Sequence, residues 1–172
     1  MAKTVLITGG ARSGKSSFAE QLARASGTRK IYIATAPVLD DEMAQRVFRH
    51  REQRSAERWE TIEEQFDLAG TIRACAGHGD VILVDCLTLW INNLLYRAEQ
   101  SNLTVEETEM MALCDELASA CAAFSGTVIF VINEVGLGIV PNNPVSRRFR
   151  DLSGRCSQSI AAWADRVTLV CC

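Results

Sequence analysis

Residues 4–16 read TVLITGGARSGKS, and the order of residue types in that stretch sets the architecture of the chain. The β-branched run Thr4–Thr8 ends at two glycines, as a parallel strand buried on both faces does. Gly9–Ser16 then fit G-x-x-x-x-G-K-[ST] without a gap. From Ser16 to about Ser26 the apolar residues Phe18, Ala19, Leu22, Ala23 and Ala25 predict a helix, with Gly27 as its stop. Strand, glycine loop and helix therefore arrive in the order a phosphate-binding loop requires. Gly9, Gly10 and Gly14 let backbone N–H groups turn inward around oxyanions with no Cβ in the way. Lys15 reaches the outer phosphates as a point charge, Ser16 offers a hydroxyl to Mg²⁺, and the helix presents its positive end.

Outward from the loop, buried-strand patterns recur at KIYIATA (30–36), DVILVDC (80–86), TVIFVINEV (127–135) and RVTLV (166–170). WETIE (59–63) reads as extended. Helical patterns cover about 40–54, 65–76, 87–98, 105–124 and 145–164, with Asp40 and Thr104 as N-caps. Glu106, Glu107 and Glu109 gather at the start of the 105–124 helix, where the dipole favours them. A Gly/Pro/Asn-rich loop spans 136–144. Strands alternating with helices predict an α/β fold, a mostly parallel sheet with helices on both faces, in a single domain over 1–172. In such sheets ligands bind at the carboxyl ends of the strands.

Composition narrows the function classes. A net charge of −3 gives no global argument for nucleic acid or an anionic membrane. No apolar run approaches the ~18 residues of a membrane span, and the N-terminus lacks a signal-peptide pattern. Cys75, Cys86, Cys114, Cys121, Cys156, Cys171 and Cys172 show no C-x-x-C pairing, so reduced thiols in the core are expected. A reducing cytoplasm is the expected setting.

The loop needs a second metal partner, and VILVD ends a hydrophobic strand with Asp85; that residue could equally cap the helix that follows. His78, in the glycine-flanked AGHGD, reads as a surface-loop residue. His50 is different. It lies in RVFRHREQRSAER (46–58), where Arg46, His50 and Arg54 share one face of a helix at i, i+4, i+8. Two permanent cations beside an imidazole suit a polyphosphate, and they disfavour the protonated ring, leaving it neutral enough to attack phosphorus. The competing reading is a solvated basic helix with an incidental histidine.

The whole succession is more specific than any one motif. TGGARSGKS is followed by YIATA…DDEM…R…HR…R, by W-x-T-x-E at 59–63 and by D-C-L-T-x-W-x-N-N-L-L at 85–95. NEVGLGIVP at 133–141 and R-x-F-R-D-x-x-G at 147–154 complete it. This order resembles the bifunctional adenosylcobinamide kinase / adenosylcobinamide-phosphate guanylyltransferase family of cobalamin biosynthesis. The resemblance implies a RecA-like P-loop NTPase fold, assembled as a homotrimer, acting on small molecules and not on nucleic acid. It implies phosphorylation of adenosylcobinamide by ATP or GTP. GMP transfer from GTP to adenosylcobinamide phosphate then follows through a guanylylated histidine, matched here by His50.

By the same matching, Gly9, Gly10, Ala11, Arg12, Ser13, Gly14, Lys15 and Ser16 hold the triphosphate. Ala34, Thr35, Ala36, Arg51, Glu52, Gln53, Arg54 and Glu63 look like further nucleotide contacts, and Asp85 like the metal or nucleotide carboxylate. Ser16 and Asp85 are the implied Mg²⁺ partners. Glu134, at the end of a strand, reads either as a structural polar contact or as catalytic. Some members carry two adjacent histidines where this chain reads Arg49-His50, and family chains often continue beyond the last strand. The alternatives are a small-molecule kinase alone, with His50 a phosphate contact, and a nucleotide-dependent switch module.

Overall fold

The computed structural model of the chain describes residues 3–37 and 59–172. The predicted helix at 40–54, with His50, Arg51, Glu52, Gln53 and Arg54, lies outside the described residues. The elements are β1 (Lys3–Gly9), α1 (Lys15–Ser26), β2 (Lys30–Ala34), β3 (Trp59–Glu63), α2 (Leu68–Ala74) and β4 (Val81–Asp85). After them come α3 (Leu87–Gln100), α4 (Glu107–Ala123), β5 (Thr127–Asn133), α5 (Pro144–Trp163) and β6 (Arg166–Val170).

Six strands form one sheet in the order β3-β2-β4-β5-β1-β6. Every pairing is parallel. The period-two alternation of a strand divides the sheet's side chains between two apolar layers. Val5 and Ile7 of β1, Leu83 of β4 and Ile129 of β5 join Ala19 and Ala23 of α1 on one face. Leu6, Val84, Val128 and Phe130 join Ile72, Trp90, Leu117 and Ile160, from α2, α3, α4 and α5, on the other. Helices thus lie on both faces, as the pattern requires.

Helix starts follow their caps. Asn143 Oδ1 accepts from the N–H groups of Val145 and Ser146, with Pro144 as the first residue of α5. Asp67 caps α2 by accepting from Gly70 N–H at 2.8 Å. The expected Thr104 cap is not formed. The Thr104 hydroxyl donates to Glu106 Oε1 at 2.8 Å, that carboxylate also pairs with Arg148 at 3.1 Å, and α4 begins two residues later than a Thr104 cap would allow. The helix begins too late for its N–H groups to meet Thr104, and Glu106 stands at the cap position without a side-chain bond.

At the amino end of the sheet Asp80 joins three strand starts. Its carboxylate accepts from Thr28 N–H (3.1 Å) and hydroxyl (3.0 Å) and from Arg29 N–H (3.0 Å), Nε (3.1 Å) and Nη2 (2.8 Å). Its carbonyl accepts from Thr127 N–H at 2.9 Å. A Cβ on Gly126 would stand 2.0 Å from that carbonyl oxygen, so only glycine fits there.

Cys75, Cys86, Cys114, Cys121 and Cys156 are buried free thiols, while Cys171 and Cys172 are exposed. Burial pushes the Cys121 thiol up to about 12. No helix among the described residues is long and apolar enough to cross a membrane.

Candidate active site

The carboxyl end of β1 turns into the loop of residues 10–14 at Gly9, where φ is +150° and a Cβ would stand 2.1 Å from the Val170 carbonyl of β6. Gly14, in left-handed conformation at φ +90°, hands the loop to α1. These two positions demand glycine for backbone reasons. Inside the loop Ser13 N–H donates to the Gly10 carbonyl at 3.3 Å. Lys15 is only 5% exposed, and its ammonium donates to the Gly10 carbonyl and to Ser13 Oγ. Burial lowers the Lys15 pKa, an effect that Cys86 and Asp85 partly oppose. A phosphate arriving at the loop supplies the negative charge this desolvated cation lacks.

Arg12, Ser13, Gly14, Lys15, Ser16 and Asp85 line one cavity of about 410 Å³, with Val131 and Asn133 of β5 contributing to it. Loop and strand-end carboxylate therefore face the same cavity. Asp85 is not the cap of α3: Cys86 occupies that position, and the carboxylate instead accepts from the Tyr32 hydroxyl at 2.9 Å.

The other matched residues share the same edge without lining that cavity. Register places Glu63 beside Ala34, Ala34 beside Asp85, and Asp85 beside Val131, one row along the carboxyl ends of four strands. Ala34 and Ala36 are half-buried and Glu63 is exposed. Thr35 is fully buried. Its hydroxyl donates to the Cys86 carbonyl and accepts from Cys86 N–H, both at 2.8 Å, while its own N–H donates to the Asp85 carbonyl at 3.3 Å. Thr35 thus holds the backbone that carries Asp85.

Sequence reasoning missed the supports around this edge. Asn93 Nδ2 donates to the Thr35 carbonyl at 2.8 Å. The Thr88 hydroxyl accepts from Asn133 N–H at 2.7 Å and so joins the start of α3 to the end of β5. Both residues lie in the D-C-L-T-x-W-x-N-N stretch, which was the available signal. Cys86 beside them has its thiol pKa raised, chiefly by burial and then by Asp85, which disfavours the reactive thiolate. Glu134 closes its own loop: Oε1 accepts from Gly136 N–H at 2.6 Å and Oε2 from Leu137 N–H at 3.1 Å. Its backbone N–H donates to the Gly9 carbonyl at 2.9 Å, which ties that loop to the phosphate loop. His78 is exposed, as expected of a turn residue.

A hard divalent cation suits the oxygen donors here. Mg²⁺ takes one or two protein oxygens and fills its remaining positions with phosphate and water, which Ser16 and Asp85 can satisfy across one cavity. Among the described residues no cluster of three or more His, Cys, Asp or Glu is arranged to hold a metal, so an all-protein cage is not formed there.

Comparison with known proteins points the same way. Residues 5–172 match the family described as cobinamide kinase / cobinamide phosphate guanyltransferase. The chain is 46% identical over 163 residues to the bifunctional adenosylcobalamin biosynthesis protein CobP of Pseudomonas aeruginosa, covering 95% of this chain and 90% of that protein. It is 41% identical over 172 residues to the bifunctional adenosylcobalamin biosynthesis protein CobU of Escherichia coli, covering 96% and 94%. Among solved structures it resembles a type III secretion system ATPase (TM-score 0.61, 12% identity), over 97% of this chain and 50% of that one. It also resembles the RadB recombinase (TM-score 0.51, 19% identity), over 90% and 71%. At those identities the likeness is one of fold, and the fold is the RecA-like P-loop NTPase fold.

Proposed function

Because the chain belongs to the cobinamide kinase / cobinamide phosphate guanyltransferase family, we propose that the strand-end cavity lined by Lys15, Ser16 and Asp85 is where the triphosphate is held for both reactions. The chain is a bifunctional enzyme of cobalamin biosynthesis, a kinase and a guanylyltransferase acting on small molecules. The observation that carries the reading of the site is the meeting of Lys15, Ser16 and Asp85 on one 410 Å³ cavity.

In the kinase step the hydroxyl oxygen of adenosylcobinamide attacks the γ-phosphorus of ATP or GTP. The bond from γ-phosphorus to the bridging oxygen breaks, a nucleoside diphosphate leaves, and the hydroxyl proton passes to solvent. Lys15 and the loop N–H groups hold the phosphates in line and oppose the charge that spreads over their oxygens. Ser16 and Asp85 would hold Mg²⁺, which would supply charge neutralisation of the phosphate oxygens. Thr35 and Tyr32 keep the Asp85 carboxylate oriented, one through the backbone and one through its hydroxyl.

In the second step neutral His50 attacks the α-phosphorus of GTP, forming an N–P bond as pyrophosphate leaves. An oxygen of adenosylcobinamide phosphate then attacks the same phosphorus, the N–P bond breaks, and the imidazole returns as GDP-cobinamide is released. Arg51 and Arg54 support the reading by their charge, Glu52, Gln53 and Glu63 by their place in the matched motifs. The chain works as one catalytic domain, in a homotrimer, in the cytoplasm.

Labelling the α-phosphate of GTP tests the covalent step. Wild-type protein denatured after incubation should carry acid-labile, base-stable label. His50→Ala should lose it while kinase turnover persists; label surviving in that variant would rule out His50 as the nucleophile.

A further inference from the structure

The acceptor's seat follows from how α3 leaves the core. Its first half is buried through Leu87, Trp90, Ile91 and Leu94, while its second half keeps Leu95 and Ala98 against the core and exposes Tyr96, Arg97, Glu99 and Gln100. Between that second half, the 102–105 turn and the first turns of α5 lies an open groove of about 670 Å³. Leu95, Tyr96, Val145 and Phe149 give it an apolar wall, and Asn92 and Asn102 place amides along it. At the rim Arg148 is paired with Glu106.

Two chain segments lead from the phosphate cavity to this groove. Cys86 lines the cavity and Asn92 the groove, six residues apart along α3, which is about 9 Å of helix. Asn133 lines the cavity and Pro144 the groove, and the loop between them carries Leu137, Ile139 and Val140, exposed at 88%, 96% and 60%. The acceptor in this reaction is a broad corrin ring, apolar across its face, fringed with amides, and bearing its reactive hydroxyl on an amide-linked arm. That ring cannot share a 410 Å³ cavity with a triphosphate, so it must rest outside within the arm's reach.

We propose that the groove between α3 and α5 seats the corrin ring, its apolar wall against the ring edge and Asn92 and Asn102 against the amide fringe, while the hydroxyl arm passes along the exposed loop between Asn133 and Pro144 to the phosphate cavity. This rests on the cobinamide reading above.

Equilibrium dialysis with adenosylcobinamide, on the full chain without turnover, measures the ring's affinity directly. Val145→Glu should weaken it at least tenfold, with ATP affinity kept within twofold and the assembly mass unchanged in light scattering. Tyr96→Ala serves the same purpose if the glutamate disturbs folding. Leu169→Glu, on the exposed part of β6, should bind as wild type. Wild-type affinity in both groove variants would place the ring elsewhere. A fall in assembly mass with cobinamide affinity per chain intact would instead make the groove a contact with a second copy, and overturn the proposal. Wild-type protein that binds ATP but no cobinamide would sink the functional reading itself, an outcome distinct from failure of the groove alone.

Discussion

Strand β4 is bracketed by two aspartates with opposite circumstances. Asp80, just before its first residue, is surrounded by the N–H and hydroxyl of Thr28 and by the backbone and guanidinium of Arg29. Asp85, its last residue, accepts from the Tyr32 hydroxyl and faces a cavity shared with Lys15 and Ser16. A carboxylate whose lone pairs are filled by its own chain is a fastener. One that keeps acceptor capacity toward an opening is available to a ligand. The same residue type, on the same strand, is structural at the amino end and chemical at the carboxyl end.

The largest expected effect tests the chemical half of that contrast. Asp85→Asn preserves volume and removes the charge, so kcat/KM for phosphoryl transfer should fall about 10²- to 10³-fold, the size of losing one positioned electrostatic group. Its melting temperature should stay within ~2 °C of wild type, as for a substitution that removes no packing. A large loss of stability without loss of rate would erase the distinction.

Glycines sharpen it next. Gly126→Ala drives a Cβ against the Asp80 carbonyl, and Gly9→Ala drives one against the Val170 carbonyl at an unfavourable φ. Each should destabilise by about 1–3 kcal/mol in urea unfolding, the usual range for overpacking. Only Gly9→Ala should also raise the KM for nucleotide, because only that end holds the phosphates.

The smallest effect is a pH dependence. The Arg29 N–H, then the Arg29 guanidinium and the Thr28 hydroxyl, hold the Asp80 carboxyl well below the usual carboxylate range. A depressed carboxyl contributes stability fully above its unfolded pKa of ~3.9 and loses it as pH falls toward the folded value. Urea midpoints of wild type should therefore drop below about pH 4. Asp80→Asn should start lower and change less over that interval, with activity per folded molecule at neutral pH equal to wild type. A wild-type-like slope would assign the acid sensitivity to other groups.

What the sequence disclosed about the site was local. The phosphate loop is legible because strand, glycines, lysine and helix are consecutive, and Asp85 because it ends a hydrophobic run. The supports were not legible because they act across long separations. Tyr32 reaches Asp85 over 53 positions, Thr35 reaches Cys86 over 51, and Asn93 reaches Thr35 over 58. Periodicity identifies Thr35 only as part of a strand end; the tertiary packing gives its hydroxyl two partners. Thr104 shows the converse, a good local cap signal that is not used because α4 starts only after Glu106. The groove draws on α3, a turn and α5, three segments whose meeting no short motif encodes.

One consequence of the strand order concerns the spacing of opposite charges. Strand β5 stands between β1 and β4, so the loop that carries Lys15 and the strand that carries Asp85 are two strand spacings apart, about 9–10 Å. No ion pair joins Lys15 to Asp85; the lysine rests on its own loop. The intervening strand works as a spacer that keeps these two opposite charges from direct contact. A nucleotide bound across the two strands therefore meets no Lys15–Asp85 ion pair, and the width it spans is set by the sheet.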